Sequence, residues 1–287
     1  MTWLINASQL EKLRKDQKNV VILDATWPRD PLAERIIGAR FFDLDLFYDQ
    51  TNALPCMLTR DEALIAKQMS TLGISNDNKI IVYDNNTPTH SACRALWMLK
   101  VFGHTPHHLY LLDGGLAAWK KFGGKLETAE ARPIVPREYV VNYQAQLIRT
   151  LLQMKSNLHH PQEQVVDVRH PVRFAGGPES RADLRRGHIP HSFSFYYMTM
   201  FEKDSDNFCP LDKIRRQLAG IGIDLDAPII TSCGSGNTAA MLDIALDLIG
   251  HTQHALYDGS WTEWGANTLY AGETSIDERP VVRSVDE

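Results

Sequence analysis

The residue with the clearest chemical potential is Cys233, a thiol between an apolar run and a glycine-rich turn. Residues 227–232 read Ala-Pro-Ile-Ile-Thr-Ser, the turn reads Cys-Gly-Ser-Gly-Asn-Thr, and an amphipathic segment covers residues 239–249. This order predicts a short buried strand, a tight loop and the start of a helix. Glycines let backbone N–H groups turn toward an anion, and a helix N-terminus adds partial positive charge. The pattern therefore favours a nucleophilic thiolate that holds a persulfide or an oxyanion.

Other interpretations of this loop stand beside the nucleophile. Most single cysteines in strands are small buried hydrophobic residues, and a Cys-Gly-Ser-Gly string alone is a weak signal. A cysteine-dependent phosphatase also uses an anion loop, but it needs an arginine six residues after the cysteine. The chain has Ala239 at that position, which excludes the phosphatase. The choice between a catalytic and a structural cysteine depends on the surrounding architecture.

Composition restricts the class of protein. The chain has 287 residues, 44% of them hydrophobic and 23% charged, with a formal net charge of −5. This length accommodates two domains, and the negative charge argues against nucleic acid as the main partner. No apolar run approaches the roughly 18 residues that span a bilayer, so no membrane association is expected. The first twenty residues are rich in charge, which is not typical of a secretory signal.

The cysteines indicate a reducing environment. Cys56, Cys93, Cys209 and Cys233 form no CxxC pair and show no zinc-ligand spacing. We therefore expect free thiols, a cytoplasmic location, no metal and no cofactor. The sequence assigns no redox role to Cys56, Cys93 or Cys209.

The sequence contains an internal duplication. Three segments recur in the same order at offsets of 143, 149 and 145 residues: 20–24 as 164–167, 80–84 as 229–233, and 113–119 as 258–264. Similar offsets in one order imply two copies of one domain. The predicted organisation is a first domain at 1–124, a linker with prolines and charges at 125–143, and a second domain at 144–287.

Each half alternates short apolar strands with helical patterns. The predicted elements are a helix opened by a Thr59–Glu62 capping box and ending near Leu72, a strand at Lys79–Asp84, a helix at Thr89–Phe102, a strand at His108–Leu112, a helix at Leu211–Gly220 and a strand at Ala255–Tyr257. This alternation predicts an α/β fold with a mainly parallel sheet covered on both faces. Ligands of such sheets bind at the carboxyl ends of strands, where Cys233 is expected. The matching position in the first copy is Asp84, without a thiol or glycines, so that half is expected to be catalytically silent.

Several motifs together resemble a known family. They are Gly38–Asp43, Ile81–Asp84, Arg94–Leu99, Gly187–Pro190, the Cys233 loop and Tyr257–Gly265. In this order they resemble the two-domain rhodanese family, and within it the 3-mercaptopyruvate sulfurtransferases. The resemblance implies two tandem rhodanese-like domains, the second of them catalytic. It also implies that the loop cysteine attacks a sulfur donor, forms a persulfide and passes the sulfur to a thiol, to cyanide or to a protein acceptor such as thioredoxin.

The loop distinguishes the subclasses of this family. Thiosulfate-using rhodaneses place basic side chains directly after the cysteine, whereas this chain has Gly234 and Ser235, which resembles the mercaptopyruvate pattern. Arg173 and Arg181 match the two substrate arginines of the family, and a guanidinium fork suits a carboxylate. A surface ion pair with Asp167, Glu179 or Asp183 is the structural alternative for either arginine.

The resemblance assigns further roles in the loop. Ser235 matches a hydroxyl relay and joins Cys233 as a catalytic residue, although a serine in such a turn often bonds only its own backbone. Four loop residues are expected to bind substrate, namely Gly234, Gly236, Asn237 and Thr238. Thr238 is also expected to cap the following helix.

The chain departs from the family pattern at four places. Asn237 replaces a valine, the two arginines are one residue closer together than usual, and His191 replaces a glycine. Residues 35–38 replace a His-Ile-Pro-Gly turn, which removes a histidine of the first domain. Asp30 is the nearest candidate for the acid that completes the serine relay. These changes leave substrate preference open, so a thiosulfate:cyanide sulfurtransferase and a persulfide carrier that depends on a protein partner stay as alternatives.

Overall fold

The structure is a computed structural model that describes residues 4–128, 133–203 and 205–284. It divides into two compact units. Unit 1 consists of the described residues among Met1–Gln50, Leu58–Ala145 and Phe201–Cys209. Unit 2 consists of those among Thr51–Met57, Gln146–Met200 and Pro210–Glu287. Residues 129–132 of the predicted linker lie outside the described residues.

Two short segments differ from the predicted domain organisation. The sequence placed residues 51–57 in the first domain and residues 201–209 in the second. In the structure, residues 51–57 belong to unit 2 and residues 201–209 belong to unit 1. Sequence patterns locate repeats along the chain, but they do not reveal which unit a loop packs against.

Unit 1 is built on a five-stranded sheet. Its strands and helices, with an additional two-stranded pair, are β1 Leu4–Ile5, α1 Ala7–Asp16, β2 Val20–Asp24, β3 Arg35–Ile36, β4 Arg40–Phe41, α2 Glu62–Thr71, β5 Lys79–Tyr83, α3 Ser91–Val101, β6 Leu109–Leu112, α4 Gly115–Phe122 and β7 Leu126–Glu127. The sheet has the order β1-β6-β5-β2-β4, and all its pairs are parallel. β3 and β7 pair antiparallel beside it.

Helices cover the sheet of unit 1 on two faces. One buried cluster joins Ile81 and Tyr83 of β5 to Leu10 of α1 and Trp119 of α4. Alternate residues of a strand point to opposite faces, so the buried Ile80 and Val82 face the other side. Helix α3 contacts β5 and β6, and every one of its residues is buried.

Unit 2 repeats this architecture. Its elements are β8 Ile148–Arg149, α5 Leu151–His159, β9 Gln164–Asp167, α6 Pro171–Phe174, β10 Phe193–Ser194, α7 Leu211–Gly220, β11 Ile229–Ser232, α8 Ala239–Leu248, β12 His254–Tyr257 and α9 Ser260–Trp264. The sheet has the order β10-β9-β11-β12-β8, again with parallel pairs throughout. The α/β fold class expected from the sequence is confirmed.

The duplication extends to single hydrogen bonds. Helices α1 and α5 both begin with a capping box, formed by Asn6 with Gln9 in unit 1 and by Thr150 with Gln153 in unit 2. In unit 1, the N–H of Ala25 donates to the Tyr83 carbonyl at 2.8 Å. In unit 2, the N–H of the equivalent residue, Val168, donates to the Ser232 carbonyl at 2.9 Å. Equivalent backbone contacts therefore place the ends of the central strands in both units.

Most predicted elements agree with the observed ones to within two residues, but the predicted cap at Thr59 is wrong, and the one at Thr238 makes no side-chain bond. Helix α2 begins after Asp61, whose carboxylate accepts from the Leu64 N–H at 3.0 Å, so Thr59 is not its N-cap. Thr59 instead accepts from the Asp61 N–H at 3.2 Å. Thr238 does occupy the N-cap position of α8, but its side chain makes no capping hydrogen bond. Its backbone is already helical (φ −75°, ψ −19°), whereas an N-cap side chain reaches back from extended backbone.

The described part of the linker runs along unit 1. Val140 and Asn76 exchange two hydrogen bonds of 2.8 Å, and the N–H of Asn142 donates to the Phe102 carbonyl at 3.0 Å. These bonds satisfy backbone groups of residues 133–143, which form no helix or strand. Within the described ranges, no helix combines the length and apolar character needed to cross a membrane.

Candidate active site

Cys233 lies directly after β11, at the carboxyl end of the central strand of unit 2. The four residues of β11 are buried, and Cys233 itself is 1% exposed. Gly236 has a φ of +84°, a left-handed conformation that glycine adopts without steric cost. The loop therefore turns sharply enough to bring the thiol and the start of α8 together.

The segment after β12 holds Cys233 through its backbone. The Cys233 N–H donates to Ser260 Oγ at 3.2 Å, and this hydroxyl donates in turn to the Tyr257 carbonyl at 2.7 Å. The Cys233 carbonyl accepts from the Trp261 N–H at 3.0 Å. Ser260 has a φ of +47°, which is uncommon for a residue other than glycine and supports a specific role for its side chain.

The same segment fixes the next residue of the loop. The Gly234 carbonyl accepts from both the N–H and the Oγ1 of Thr262, at 2.8 and 2.7 Å. Sequence reasoning missed the roles of Ser260 and Thr262, although both lie in the duplicated motif at residues 258–264. The available signal was the replacement of Gly115 in the first copy by a serine in the second.

An open cavity of about 320 Å³ lies against the thiol. The loop contributes five lining residues: Cys233, Gly234, Ser235, Asn237 and Thr238. The remaining lining comes from residues 169–173 and from two tyrosines: Arg169, His170, Arg173, Tyr196 and Tyr197. Sequence reasoning missed Arg169, His170 and both tyrosines, because no periodicity or loop signal connects them to a strand end 36 or more residues away.

A buried network of charges supports one side of the cavity. Arg169 pairs with Asp167 at 2.7 Å and with Glu179 at 2.8 Å, and its guanidinium also donates to the Gly187 carbonyl. Arg169 lies over the Trp261 ring, 4.3 Å from its centroid. Because its donors are engaged within the protein, Arg169 acts as a positioning residue for Glu179 rather than as a free anion site.

Arg173 contributes a guanidinium to the wall of the cavity. Its Nε and Nη2 donate to Glu179 at 2.9 and 2.6 Å, which fixes the plane of the guanidinium. A Cβ built on Gly234 would lie 3.6 and 3.7 Å from Nη2 and Nη1 of Arg173, so this side chain lies against the Cys233 loop. Among the described residues, Nη1 has no hydrogen-bond partner, which leaves a charged donor directed at the cavity.

Arg181 is placed differently. It forms a bidentate ion pair with Asp183, with contacts of 3.1 and 2.5 Å, and both side chains are largely exposed. The hydrogen bond from Arg181 lowers the pKa of Asp183. Arg181 does not line the cavity, so the structure brings Arg173 to Cys233 and leaves Arg181 in the surface ion pair that the sequence offered as an alternative.

The other predicted site residues fall into three groups. Ser235, Asn237 and Thr238 line the cavity, whereas Gly236 shapes the turn and is not part of the lining. Asn237 Nδ2 also donates to the Cys56 sulfur at 3.6 Å, within unit 2. Asp30 belongs to unit 1, where its carboxylate accepts from the Leu32 N–H at 2.9 Å.

One group of side chains has the composition of a metal site. Asp243, Asp247 and His254 hold their ligand atoms within 4.8 Å of one another. His254 directs Nδ1 at Asp243 (2.8 Å) and Nε2 at Asp247 (3.1 Å). In the structure these contacts link His254 of β12 to two carboxylates of α8.

Comparisons with known proteins agree with this geometry. The family model described as the rhodanese-like domain matches residues 6–122 and again residues 150–267. The chain is 35% identical over 278 residues to a mitochondrial thiosulfate/3-mercaptopyruvate sulfurtransferase 1 of Arabidopsis thaliana, covering 86% of this chain and 72% of the relative. It is 34% identical over 276 residues to a 3-mercaptopyruvate sulfurtransferase of Escherichia coli K12, covering 92% and 95%.

A solved structure extends the likeness to three dimensions. The crystal structure of SseA, a 3-mercaptopyruvate sulfotransferase from Escherichia coli, superposes with a TM-score of 0.80 at 32% identity. The match covers 91% of this chain and 99% of that one. With two matched domains and relatives above 30% identity over most of its length, this chain belongs to the rhodanese family.

Proposed function

We propose that this protein is a sulfurtransferase that transfers sulfur from 3-mercaptopyruvate to a thiol, to cyanide or to a protein acceptor through a Cys233 persulfide. The observation that carries the proposal is the placement of Arg173. Its guanidinium lies against Gly234 and has one unengaged donor, Nη1, beside the thiol. A single charged donor matches the single carboxylate of 3-mercaptopyruvate.

The proposed reaction begins with attack of the Cys233 thiolate on the substrate sulfur. A sulfur–sulfur bond forms, the carbon–sulfur bond breaks, and the electron pair leaves on the pyruvate enolate. Ser235, which lines the same cavity, is proposed as the hydroxyl that relays a proton, and loop N–H groups stabilise the charge that develops. The role of Asp30 as the acid that completes this relay is proposed from the family resemblance alone.

The loop composition favours mercaptopyruvate over thiosulfate. Thiosulfate carries two negative charges, and the two positions after the nucleophile are the uncharged Gly234 and Ser235. Arg169, the second guanidinium of the lining, is already neutralised by Asp167 and Glu179. A donor with one carboxylate and one ketone fits this limited positive charge better than a dianion.

The finer assignments are also proposals. Residues 1–124 are proposed as the silent domain and residues 144–287 as the catalytic one. We infer that the acceptor includes a protein thiol such as that of thioredoxin, and that the protein works in a reducing cytoplasm. None of the four cysteines, all of them among the described residues, forms a disulfide, which supports the proposed location.

The test is a comparison of two sulfur donors with cyanide as the common acceptor. We expect kcat/KM for 3-mercaptopyruvate to exceed that for thiosulfate by about tenfold or more, equivalent to roughly 1.4 kcal/mol of transition-state stabilisation. A preference for thiosulfate would overturn the donor assignment. Absence of turnover with either donor, together with persulfide uptake that is discharged only by a protein thiol, would establish the alternative of a persulfide carrier.

A further inference from the structure

His170 lines the cavity, and the proposed function gives it no role. It precedes helix α6, and its backbone carbonyl accepts from the N–H groups of Arg173 and Phe174. Its Nδ1 accepts from the Val172 N–H at 3.2 Å. A backbone N–H can only donate, so Nδ1 must carry a lone pair in this arrangement. The neutral ring therefore carries its proton on Nε2.

His170 is exposed, and an aromatic contact restricts the orientation of its ring. His170 meets Tyr196 edge-to-face, with centroids 5.0 Å apart and an interplanar angle of 71°. Tyr196 meets Tyr197 in the same way, at 4.9 Å and 68°, and both tyrosines line the cavity. The imidazole is thus held by a backbone hydrogen bond and by a tyrosine. Such double support makes a side chain suitable for a preorganised interaction.

The polar atom that remains is Nε2–H. In the part of the chain that the structure describes, no protein acceptor lies within hydrogen-bonding distance of it. The charged and titratable groups that line the cavity with His170 are Arg169, Arg173, Cys233 and the two tyrosines. Burial, together with the neighbouring Tyr196, raises the pKa of Tyr197, so that phenol stays protonated. No carboxylate is among these lining residues to compete for the imidazole N–H.

We propose that His170 is a catalytic residue whose neutral Nε2–H donates a hydrogen bond to the keto oxygen of the sulfur donor. This inference rests on the proposed function. Arg173 Nη1 and His170 Nε2–H are two differently charged donors on one segment, and an α-keto acid presents a carboxylate and a ketone side by side. The charged donor takes the carboxylate, and the neutral donor takes the ketone.

The interaction strengthens during the reaction. As the Cys233 sulfur bonds to the substrate sulfur, the carbon–sulfur electron pair delocalises onto the keto oxygen and produces an enolate. His170 keeps its proton and stabilises the negative oxygen through the hydrogen bond, and the enolate then takes a proton from water through the Ser235 hydroxyl to give pyruvate. A donor aimed at an oxygen that gains charge lowers the barrier and acts on kcat rather than on KM.

The experiment separates the two half-reactions. The variant His170→Asn keeps an oxygen that can cap α6, but it is too short to reach the cavity as the ring does. In single turnover, we expect this variant to release pyruvate about tenfold or more slowly than the wild type. Discharge of a preformed Cys233 persulfide by cyanide involves no keto oxygen, so its rate should change by less than about twofold. In the steady state, kcat should fall with KM within about threefold.

The variant His170→Gln is the matched control, since it retains an N–H donor on a longer side chain. We expect it to release pyruvate faster than His170→Asn. Equal rates for wild type and His170→Asn would reduce His170 to a helix cap and overturn the proposal. Slowing of both half-reactions to the same extent, or a glutamine variant no faster than the asparagine variant, would also overturn it. Failure of the wild type to release pyruvate would instead contradict the proposed function.

Discussion

The ends of the two central strands, β5 in unit 1 and β11 in unit 2, carry different chemistry on the same backbone. Asp84 follows β5 and Cys233 follows β11. The carbonyl of each accepts a backbone N–H from the helix after the next strand at 3.0 Å, from Leu116 in unit 1 and from Trp261 in unit 2. The duplication therefore preserved the position of the residue while its side chain changed.

The Asp84 carboxylate accepts hydrogen bonds from residues that follow it in the same loop. Asp84 Oδ2 accepts from the N–H groups of His90 and Ala92 at 3.1 and 2.8 Å, and from Ser91 Oγ at 2.9 Å. These donors lie at the start of α3, where an external anion would otherwise be favoured. Burial raises the pKa of Asp84 even though these hydrogen bonds favour the carboxylate.

The space near the strand ends differs accordingly. The cavity beside residues 24–35 and Asn85 in unit 1 has a volume of about 20 Å³, whereas the Cys233 cavity has about 320 Å³. The Asp84 carboxylate is hydrogen-bonded within its own loop, whereas the Cys233 loop lines an open cavity. The two strand ends therefore differ in whether the residue after the strand is engaged by its own loop or faces a cavity.

The largest expected effect on activity comes from replacing Cys233, and the matched substitution in unit 1 is at Asp84. Cys233→Ser should reduce sulfur transfer by about 10³-fold or more, because an alcohol is a far weaker nucleophile than a thiolate. Asp84→Asn should leave the transfer rate within about twofold. The same substitution should lower the free energy of unfolding by about 1–3 kcal/mol, because asparagine places an NH2 donor where one of the buried carboxylate oxygens of Asp84 lies. Substantial activity in Cys233→Ser would show that another thiol carries the sulfur.

The two arginines give the next largest effect. Arg173→Gln should lower kcat/KM for 3-mercaptopyruvate by about 10–100-fold, because a charge-assisted hydrogen bond to the carboxylate is lost. Arg181→Gln removes only an exposed ion pair with Asp183, so the change should be less than about threefold. Equal losses in both variants would mean that Arg181 leaves this ion pair to bind the substrate, as the family resemblance implies.

Ser260 tests how far the segment after β12 positions the nucleophile. Ser260→Ala removes the acceptor of the Cys233 N–H and should cost about 1–2 kcal/mol of stability, with a several-fold lower rate of persulfide formation. Ser260→Gly removes the same oxygen but adopts the left-handed backbone more readily, so it should be more stable than the alanine variant. Thermal unfolding and pyruvate release measured on both variants separate backbone strain from the hydrogen bond. Indistinguishable unfolding of the two variants would contradict a cost of the left-handed backbone.

The smallest expected effect depends on pH and concerns His104 of unit 1. Its counterpart in unit 2 is His251, and the N–H of each donates to a carbonyl at the end of the preceding helix, Leu99 and Leu246. Burial lowers the pKa of His104 in unit 1 to about 4, and its Nδ1 is buried without a hydrogen-bond partner. In unit 2, both ring nitrogens of His251 face carbonyl oxygens, at 3.0 and 2.9 Å. Because the folded pKa of His104 lies below its unfolded value of about 6.5, its contribution is present above pH 6.5 and is lost as the pH falls toward 4.

This sign predicts an acid-sensitive unit 1. As the pH falls from 7 to 5, protonation linked to His104 should lower the free energy of unfolding by about 2 kcal/mol. His104→Gln keeps a donor for the Asn78 carbonyl, which His104 Nε2 meets at 2.9 Å, and it should remove most of this pH dependence. Hydrogen exchange of β5 and α3 at the two pH values measures the effect locally. The same acid sensitivity in the glutamine variant would assign it to another group.

Much of the architecture could be predicted because it depends on local signals. The rhodanese family, the α/β fold class and the sulfurtransferase class of enzyme were expected from motifs and are confirmed. Helix α7 was predicted with its observed bounds, because Leu211–Gly220 has a clear amphipathic period. The cap at Thr59 was predicted wrongly, and Thr238 occupies the N-cap position without a capping bond from its side chain, since backbone angles that a short motif does not specify decide both.

The sequence by itself determined the duplication, the strand-to-loop position of Cys233 and the absence of a thiol at Asp84, because these follow from residue identity and spacing. Only the tertiary structure decided which side chains surround the thiol. It brought Arg169, His170, Tyr196 and Tyr197 to the cavity and left Arg181 paired with Asp183. The physical reason is that a parallel sheet aligns the ends of strands that are far apart in sequence, so the walls of the site come from loops whose packing no local pattern encodes.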